Sequence, residues 1–373
     1  MDPVLSSISE DGDLYRFTMS GINVSLANAL RRTILSDIPI LAFYTETYND
    51  NQCIVHVNTT RLHNEILKHR LSCIPIYETV DSRQKDNTLL VGTHILDLDL
   101  QNDTESMMFV TTEHFRVRNK TNGKYLTQDE TRRIFPANKL TNMFIDFARL
   151  RPKIGDSIPG EQLKLTAEFS IHTAKENSMF NVVSKCSYGN TIDVKRVDSI
   201  WEEQNNNLVA EQTSLEDIAF QKRNYYLLDA QRHFIENSFD FVIQTLGVYE
   251  NKDIIKRACV SIITKLTNLI QDIDSDSIPI LNSETTIDFC YDITLENEDY
   301  TIGKILEYIL YEKYYVKEKI LSYCGFKKFH PHFTYSTIRI AYLEKSDKRM
   351  AGQHLKIACV EANDVFNKIY EMF

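Results

Sequence analysis

Residues 24–39 read VSLANALRRTILSDIP, and the fold turns on them. Leu26, Ala27, Leu30, Ile34 and Leu35 recur at three- and four-residue steps, which predicts one apolar stripe along an amphipathic helix. Ser25 is placed to cap it, because a hydroxyl can accept from an orphan N–H of the first turn. Pro39 ends the helical region, since the residue before a proline is pushed out of the α basin. Arg31 and Arg32 sit beside the stripe. They read either as a solvated flank or as a docking edge, where rigid guanidinium forks meet a partner's carboxylates or carbonyls.

Upstream, DLYRFTM (13–19) alternates Tyr15, Phe17 and Met19 on one face and predicts a strand, with Gly21 turning the chain into the helix. Downstream, ILAFYTETYND (40–50) and QCIVHV (52–57) predict strands broken at Asn49-Asp50-Asn51. Leu62, Ile66, Leu67 and Leu71 mark a second, shorter helix before the extended segment at Pro75. From about 81 to 177 polar turns (SRQKDN at 82–87, QNDTES at 101–106, RNKTNGK at 118–124) separate short strand-like runs at 89–100 and 107–112. That texture predicts an inserted β-rich domain. Residues 202–217 are polar and read as an exposed loop or helix.

The core pattern then returns. Phe239, Phe241 and Ile243 alternate as a strand, and Ile255, Ala258, Ile262, Leu266, Leu269 and Ile273 hold a helical stripe. DIDSDSIPILNSE (272–284) is acidic, polar and proline-bearing, the best linker in the chain. Beyond it Ile287, Phe289, Tyr291, Ile293 and Leu295 alternate as a strand, and Thr301 can cap a helix carrying Ile302, Ile305, Leu306 and Ile309. Residues 337–342 predict another strand, and Ala351, Leu355, Ala358, Ala362, Val365, Ile369 and Phe373 line a long closing helix. Strand then helix at the start, and strand then helix at the end, thus occur twice. The expectation is an α+β fold of two pseudo-symmetric half-modules, each a small antiparallel sheet with helices, the first interrupted by the β-rich insert. The boundaries read as 1–45 with 181–275, then 46–180 for the insert, then 276–373. Two apolar faces that cannot be covered alone predict intramolecular packing, a covalent form of a C2 interface rather than a homo-oligomer. Leu26, Ala27, Leu30 and Ile34 would meet Ile302, Ile305, Leu306 and Ile309 there.

Hydrophobic content of 43% and charged content of 25% are those of a soluble globular chain, and 373 residues allow two or three domains. A net charge of −10 argues against a general phosphate-neutralising nucleic-acid binder. No run of about 18 apolar residues and no signal-like N-terminus predict an intracellular protein without a membrane span. Cysteines at 53, 73, 186, 259, 290, 324 and 359 form no Cys-x-x-Cys pair, so reduced thiols and no metal are expected. His63, Glu65 and His69 fail as a zincin pair, because six residues rotate the second histidine about 240° from the first. No phosphate-cradling glycine loop and no Gly-x-Ser-x-Gly elbow occur, and no catalytic residue or cofactor is expected. Asp272, Asp274 and Asp276 lack the glycine and terminal glutamate of a calcium loop. His330-Pro331-His332 is read as a turn.

Leu26, Asn28, Leu30, Arg31, Arg32, Leu35 and Pro39 resemble the first helix of the α-like assembly subunits of multisubunit DNA-dependent RNA polymerases. Asn64-Glu65, His69-Arg70-Leu71 and Ile74-Pro75 resemble the next segment of the larger eukaryotic-type member, and residues 149–176 resemble the exit from its middle domain. Glu298-Asp299-Tyr300-Thr301-Ile302-Gly303 resembles the acidic-His-Thr-Leu-Gly-Asn turn of the smaller member. Tyr300 and Lys304 depart from its His and Asn. Gly325-Phe326 and His330-Pro331 resemble its later positions. The resemblance implies a fusion of the larger and smaller subunits, as in large DNA viruses, without the bacterial DNA-binding C-terminal domain. It implies a non-catalytic platform that docks the two large catalytic subunits and small accessory subunits for transcription, touching DNA only through the complex. Asn28, Arg31, Arg32, His69 and Arg70 would then belong to the docking edge. A viral protein would work in a cytoplasmic factory or the virion, a cellular one in the nucleus. The competing readings are a hydrolase with an unsigned site in the middle domain and an adaptor outside transcription.

Overall fold

The computed structural model describes residues 1–80, 90–155 and 157–373. The polar turn expected at 82–87, and the start of the run that opens at 89, lie outside the described residues. The chain is α+β. It begins with β1 (Val4–Asp11), β2 (Leu14–Ser20), α1 (Val24–Ser36), β3 (Ile40–Ala42), β4 (Cys53–Asn58) and α2 (Asn64–Ser72). There follow β5 (His94–Gln101), β6 (Met108–Thr111), β7 (Arg116–Asn119), α3 (Gln128–Ile134), β8 (Asp146–Leu150), β9 (Gln162–Glu168) and β10 (Ser170–His172). Next come β11 (Val183–Ile192), α4 (Val194–Ala210), α5 (Leu215–Leu227), β12 (Phe234–Thr245) and α6 (Asn251–Asp274). The last part holds β13 (Ile280–Asn282), β14 (Cys290–Glu296), α7 (Tyr300–Leu310), β15 (Leu321–Lys327), β16 (Tyr335–Tyr342) and α8 (Lys348–Glu371). No described helix is long and apolar enough to cross a membrane.

Two compact units result. The first comprises Met1–Thr33, Lys185–Gln244 and Ile262–Phe373. It holds an antiparallel sheet in the order β1-β2-β12-β11 and a second in the order β13-β14-β16-β15. Tyr15, Phe17 and Met19 are buried along β2, as their alternation predicts, and Phe17 stacks on Phe241 of β12 with ring centroids 5.0 Å apart. The C-terminal Phe373 closes edge-on against Phe17 at 5.2 Å. Gly21 turns β2 into α1 at φ +77, and a side chain there would drive its Cβ to 2.1 Å from the Asp2 carbonyl oxygen.

The second unit comprises Ile34–Ser184 and Thr245–Ser261. Its main sheet runs β4-β9-β5-β7, beside the pairs β6-β8 and β10-β3. Leu96, Leu98, Val117, Leu163, Leu165 and Ala167 fill one face, with Leu67 and Leu71 of α2 in the same core. Residues 245–261 are anchored by Tyr249, which donates to the Pro39 carbonyl at 2.9 Å. Arg257 lies 4.1 Å over the Tyr249 ring and donates to the Val80 carbonyl.

Several local expectations change. Asn23, not Ser25, caps α1: its side-chain oxygen accepts from the Ser25 N–H at 2.9 Å, because a side chain one residue outside the first turn reaches those donors better. Asp299, not Thr301, caps α7, accepting from the Thr301 N–H at 2.8 Å. Leu35 is only partly covered, while Ala29 and Thr33 are buried, so α1 buries a wider face than its leucine spacing indicates. Ile66 on α2 is exposed. The alternation over 287–295 starts late, because Phe289 takes a left-handed φ of +51. Cys290 turns inward in its place, and Ile287 and Phe289 are exposed. Residues 202–217 are the end of α4, a turn and the start of α5, and 272–284 contain the end of α6 and strand β13. Strands β1 and β15 carry too few apolar alternations to stand out in the sequence, yet both pair along sheet edges.

Candidate functional site

The α1 edge separates its two arginines. Asn28, one helical turn before Arg31, accepts from its Nε at 3.0 Å and its Nη2 at 2.9 Å. The i,i+3 spacing on a helix makes that contact local. The guanidinium is thereby held in one orientation, half-buried, with no ion pair among the described residues. It faces Cys186 and Tyr188 of β11; burial pushes the Cys186 thiol up to about 12, with the Arg31 charge acting in the opposite sense.

Arg32 turns the other way. Its Nη2 meets the Asp299 carboxylate at 3.0 Å, and its Nε donates to the Thr301 hydroxyl at 2.9 Å. Asp299 is also the α7 cap, so one carboxylate holds both a helix N-terminus and a guanidinium. Arg32 thus makes contacts inside the chain. The acidic residue that opens the 299–303 motif was the available sequence signal for its partner. Nothing in local spacing links two positions that far apart.

In the same motif Gly303 is required by packing. A Cβ on it would stand 2.1 to 2.4 Å from Phe326 ring atoms, and Tyr300 meets that ring edge-on at 5.2 Å. Where the resemblance places Asn, Lys304 makes an ion pair with Glu307. Ser25, Lys304, Glu307, Tyr308, Tyr311 and Cys324 line a recess of about 210 Å³. Leu26, Ala27, Leu30, Ile34, Ile302, Ile305, Leu306 and Ile309 are all buried.

His69 and Arg70 lie on α2 in the other unit. Arg70 ties that helix to β8, donating to the Phe147 carbonyl at 2.8 Å and the Asp146 carbonyl at 2.7 Å, while His69 is exposed. The polar face of this unit's sheet borders a cleft of about 1300 Å³ lined by Asp97, Asp99, Arg116, Arg118, Tyr125 and Lys164 among others. Lys164 holds the Asp99 carboxyl below the usual carboxylate range through a 2.7 Å bond. Asp97 accepts from Tyr125 at 2.7 Å and pushes that phenol up. Both shifts move away from neutral pH, so neither group is poised for proton transfer there. His63 bounds α2 without a side-chain cap bond, and His330 and His332 lie 5.1 Å apart in a turn. Among the described residues no three His, Cys, Asp or Glu side chains are grouped to hold a metal.

A second buried polar group escaped sequence reading. His354 of α8 stacks on Tyr314 at 4.1 Å and bonds the Tyr342 hydroxyl at 2.9 Å. Burial lowers the histidine's pKa and raises those of both phenols, Tyr314 to about 12.

Compared with known proteins, residues 16–266 match the family described as the RNA polymerase Rpb3/Rpb11 dimerisation domain. The DNA-directed RNA polymerase subunit Rpo3 of Pyrococcus furiosus is 32% identical over 97 residues, 26% of this chain and 34% of that protein. The DNA-directed RNA polymerases I and III subunit RPAC1 of Mus musculus is 38% identical over 69 residues, 18% of each chain. Its counterpart in Dictyostelium discoideum is 40% identical over 80 residues, 21% of each. The matched stretches thus span about a third or less of these relatives. The family match takes in the α1 edge and extends across both units, covering more than half of the 373 residues. The chain belongs to the family of the RNA polymerase Rpb3/Rpb11 dimerisation domain.

Proposed function

We propose that this chain is a non-catalytic assembly platform of a DNA-dependent RNA polymerase, carrying both members of the α-like pair in one polypeptide. The observation that carries the reading is a repeated path through the first unit. An edge strand and a central strand lead into a helix (β1, β2, α1), and a far edge and an inner strand lead into a 24-residue helix (β11, β12, α6). Past residue 275 the same order recurs as β13, β14, α7, then β15, β16 and the 24-residue α8. Each path gives the same spatial order of strands. On this reading the domains are 1–45 with 181–275, an insert at 46–180, and 276–373. The buried stripes of α1 and α7 pack between the halves, and Arg32 with Asp299 locks them. Arg31, oriented by Asn28 and free of an ion pair among the described residues, is the docking residue for a large catalytic subunit; His69 is a second exposed candidate. Polymerase relatives support the assignment. The fused arrangement fits a large DNA virus, with work in a cytoplasmic factory or the virion; a cellular source would place it in the nucleus. In the cleft of the second unit, the Asp99 carboxyl is held down and the Tyr125 phenol pushed up, both away from neutral pH, which weighs against those two as the acid or base of a hydrolase.

The test is purification of the tagged chain from its native source. Two very large co-purifying chains and template-dependent RNA synthesis are expected. Arg31→Ala should reduce recovery of a large chain about tenfold while leaving the thermal transition in place, the loss expected of an interface arginine. A stable, solitary chain would refute the platform, and loss of folding in Arg31→Ala would refute the docking role.

A further inference from the structure

Besides the insert between α1 and β11, the two repeated paths differ in the connection between their last two strands. Residues 328–334 suffice to join β15 to β16, whereas the step from β11 to β12 carries the hairpin of α4 and α5. The hairpin has a small core of its own: Val197, Trp201, Tyr225 and Ala230 are buried, and Ile200, Leu208 and Ile218 pack on them. Tyr225 donates to the Val197 carbonyl at 3.2 Å and Tyr226 to Asp198 at 2.7 Å, which pins one side of α5 to α4.

The opposite side of α5 faces solvent and carries two large apolar side chains among polar ones. Phe220 is 63% exposed and Leu227 57%, with Arg223 between them. The steps i, i+3 and i+7 put these three on one face, about 180° from the Ile218 and Tyr225 side. Arg223 makes no ion pair or hydrogen bond among the described residues. An aromatic, an arginine and a leucine at that spacing form the anchor pattern of a helix laid into a groove. Large apolar side chains grouped in water mark an interaction surface, not a finished one.

We infer that α5 is a docking helix for a protein partner whose apolar groove takes Phe220 and Leu227 and whose rim offers a carboxylate to Arg223. Charge complementarity selects the rim: a guanidinium between two apolar anchors would be stranded on docking unless a carboxylate met it. Glu216 stands exposed at the N-terminal end of the same face, outside the span from Phe220 to Leu227. That the partner is another chain of the same assembly rests on the polymerase reading; the groove chemistry does not.

The experiment places a benzophenone photocrosslinker at Phe220 in the tagged full chain, followed by purification of its native assembly, irradiation and peptide mapping. One product is expected, on an apolar segment of a different stoichiometric chain with Asp or Glu beside it. Arg223→Glu should lower its yield at least tenfold, and Glu or Asp→Lys on the mapped rim should restore it. The same probe at Asn206, exposed on α4, should give no such product. Trp201 is the chain's single tryptophan, so unchanged emission reports that the hairpin remains folded in each variant. No product with Trp201 emission intact, a product with a second copy of this chain or with nucleic acid, or a yield indifferent to Arg223→Glu would each overturn the inference. An assembly that crosslinks as expected but makes no templated RNA would sink the polymerase reading and leave the docking helix standing.

Discussion

Arg32 offers the sharpest test of how the first unit is held together. A protease site inserted between Asp276 and Ser277, in the exposed turn after α6, lets the folded chain be cut without touching a strand. The fragments should stay associated, because buried faces remain on both sides. Removing Arg32 then removes at least the bonds to Asp299 and Thr301. A hydrogen bond to a charged group is worth about 1.5–3 kcal/mol when well covered, and an exposed ion pair about 0.2–1 kcal/mol. Side-chain exposures of 36% for Arg32 and 27% for Asp299 put this pair between those limits, at about 1 kcal/mol. The bond to Thr301 adds about 0.5–1 kcal/mol. Arg32→Ala should therefore weaken the association of the nicked halves by about 1.5–2 kcal/mol, a factor of about 10–30 in Kd. Asp299→Ala should cost a similar amount plus its cap, and the double variant should show a coupling of about 1 kcal/mol. The assay is dissociation of the nicked protein followed by analytical ultracentrifugation across a dilution series. Additive effects, or an unchanged Kd in Arg32→Ala, would refute the lock.

Other expectations follow from the same geometry. Leu30→Asp or Ile305→Asp buries an unpaired carboxylate, which costs several kcal/mol; a thermal midpoint equal to the parent's would contradict the packing assigned to these positions. Gly303→Ala forces the Phe326 ring aside and should destabilise by about 1–3 kcal/mol, with Phe326→Leu in the same chain recovering part of the loss in urea titrations. Arg339 meets Asp292 at 2.6 and 2.8 Å and holds that carboxyl below its usual range. The pair adds stability above the ordinary carboxylate pKa of about 4 and loses it as pH falls through the depressed folded value. Asp292→Asn should flatten that acid limb in pH-dependent melting. Burial lowers the His354 pKa, so stability tied to a neutral imidazole should fade as pH drops below about 6.5. His354→Phe should remove that slope.

Much of the chain was legible because local physics wrote it. The alternation of Tyr15, Phe17 and Met19, the α8 stripe and the regular spacing of α6 are consequences of strand and helix periods, and those residues are buried where the periods put them, except Ile273 and Phe373 at the ends of their stripes, which are half-buried. The motif at 299–303 could be recognised from neighbours alone. Caps were harder: Asn23 and Asp299 act from just outside their helices, where a choice between adjacent polar residues depends on the entering backbone angle. Edge strands β1 and β15 were silent because a strand paired on one side needs little apolar alternation.

What the residues alone determined were periods and stops, since each depends on side chains a few positions apart. Tertiary structure decided which polar groups remain free. Arg31 and Arg32 are adjacent and chemically alike, yet one is steadied by Asn28 and the other is taken by Asp299 from the far end of the chain. A guanidinium's role is set by whatever carboxylate comes within about 3 Å, and only folding brings that carboxylate there.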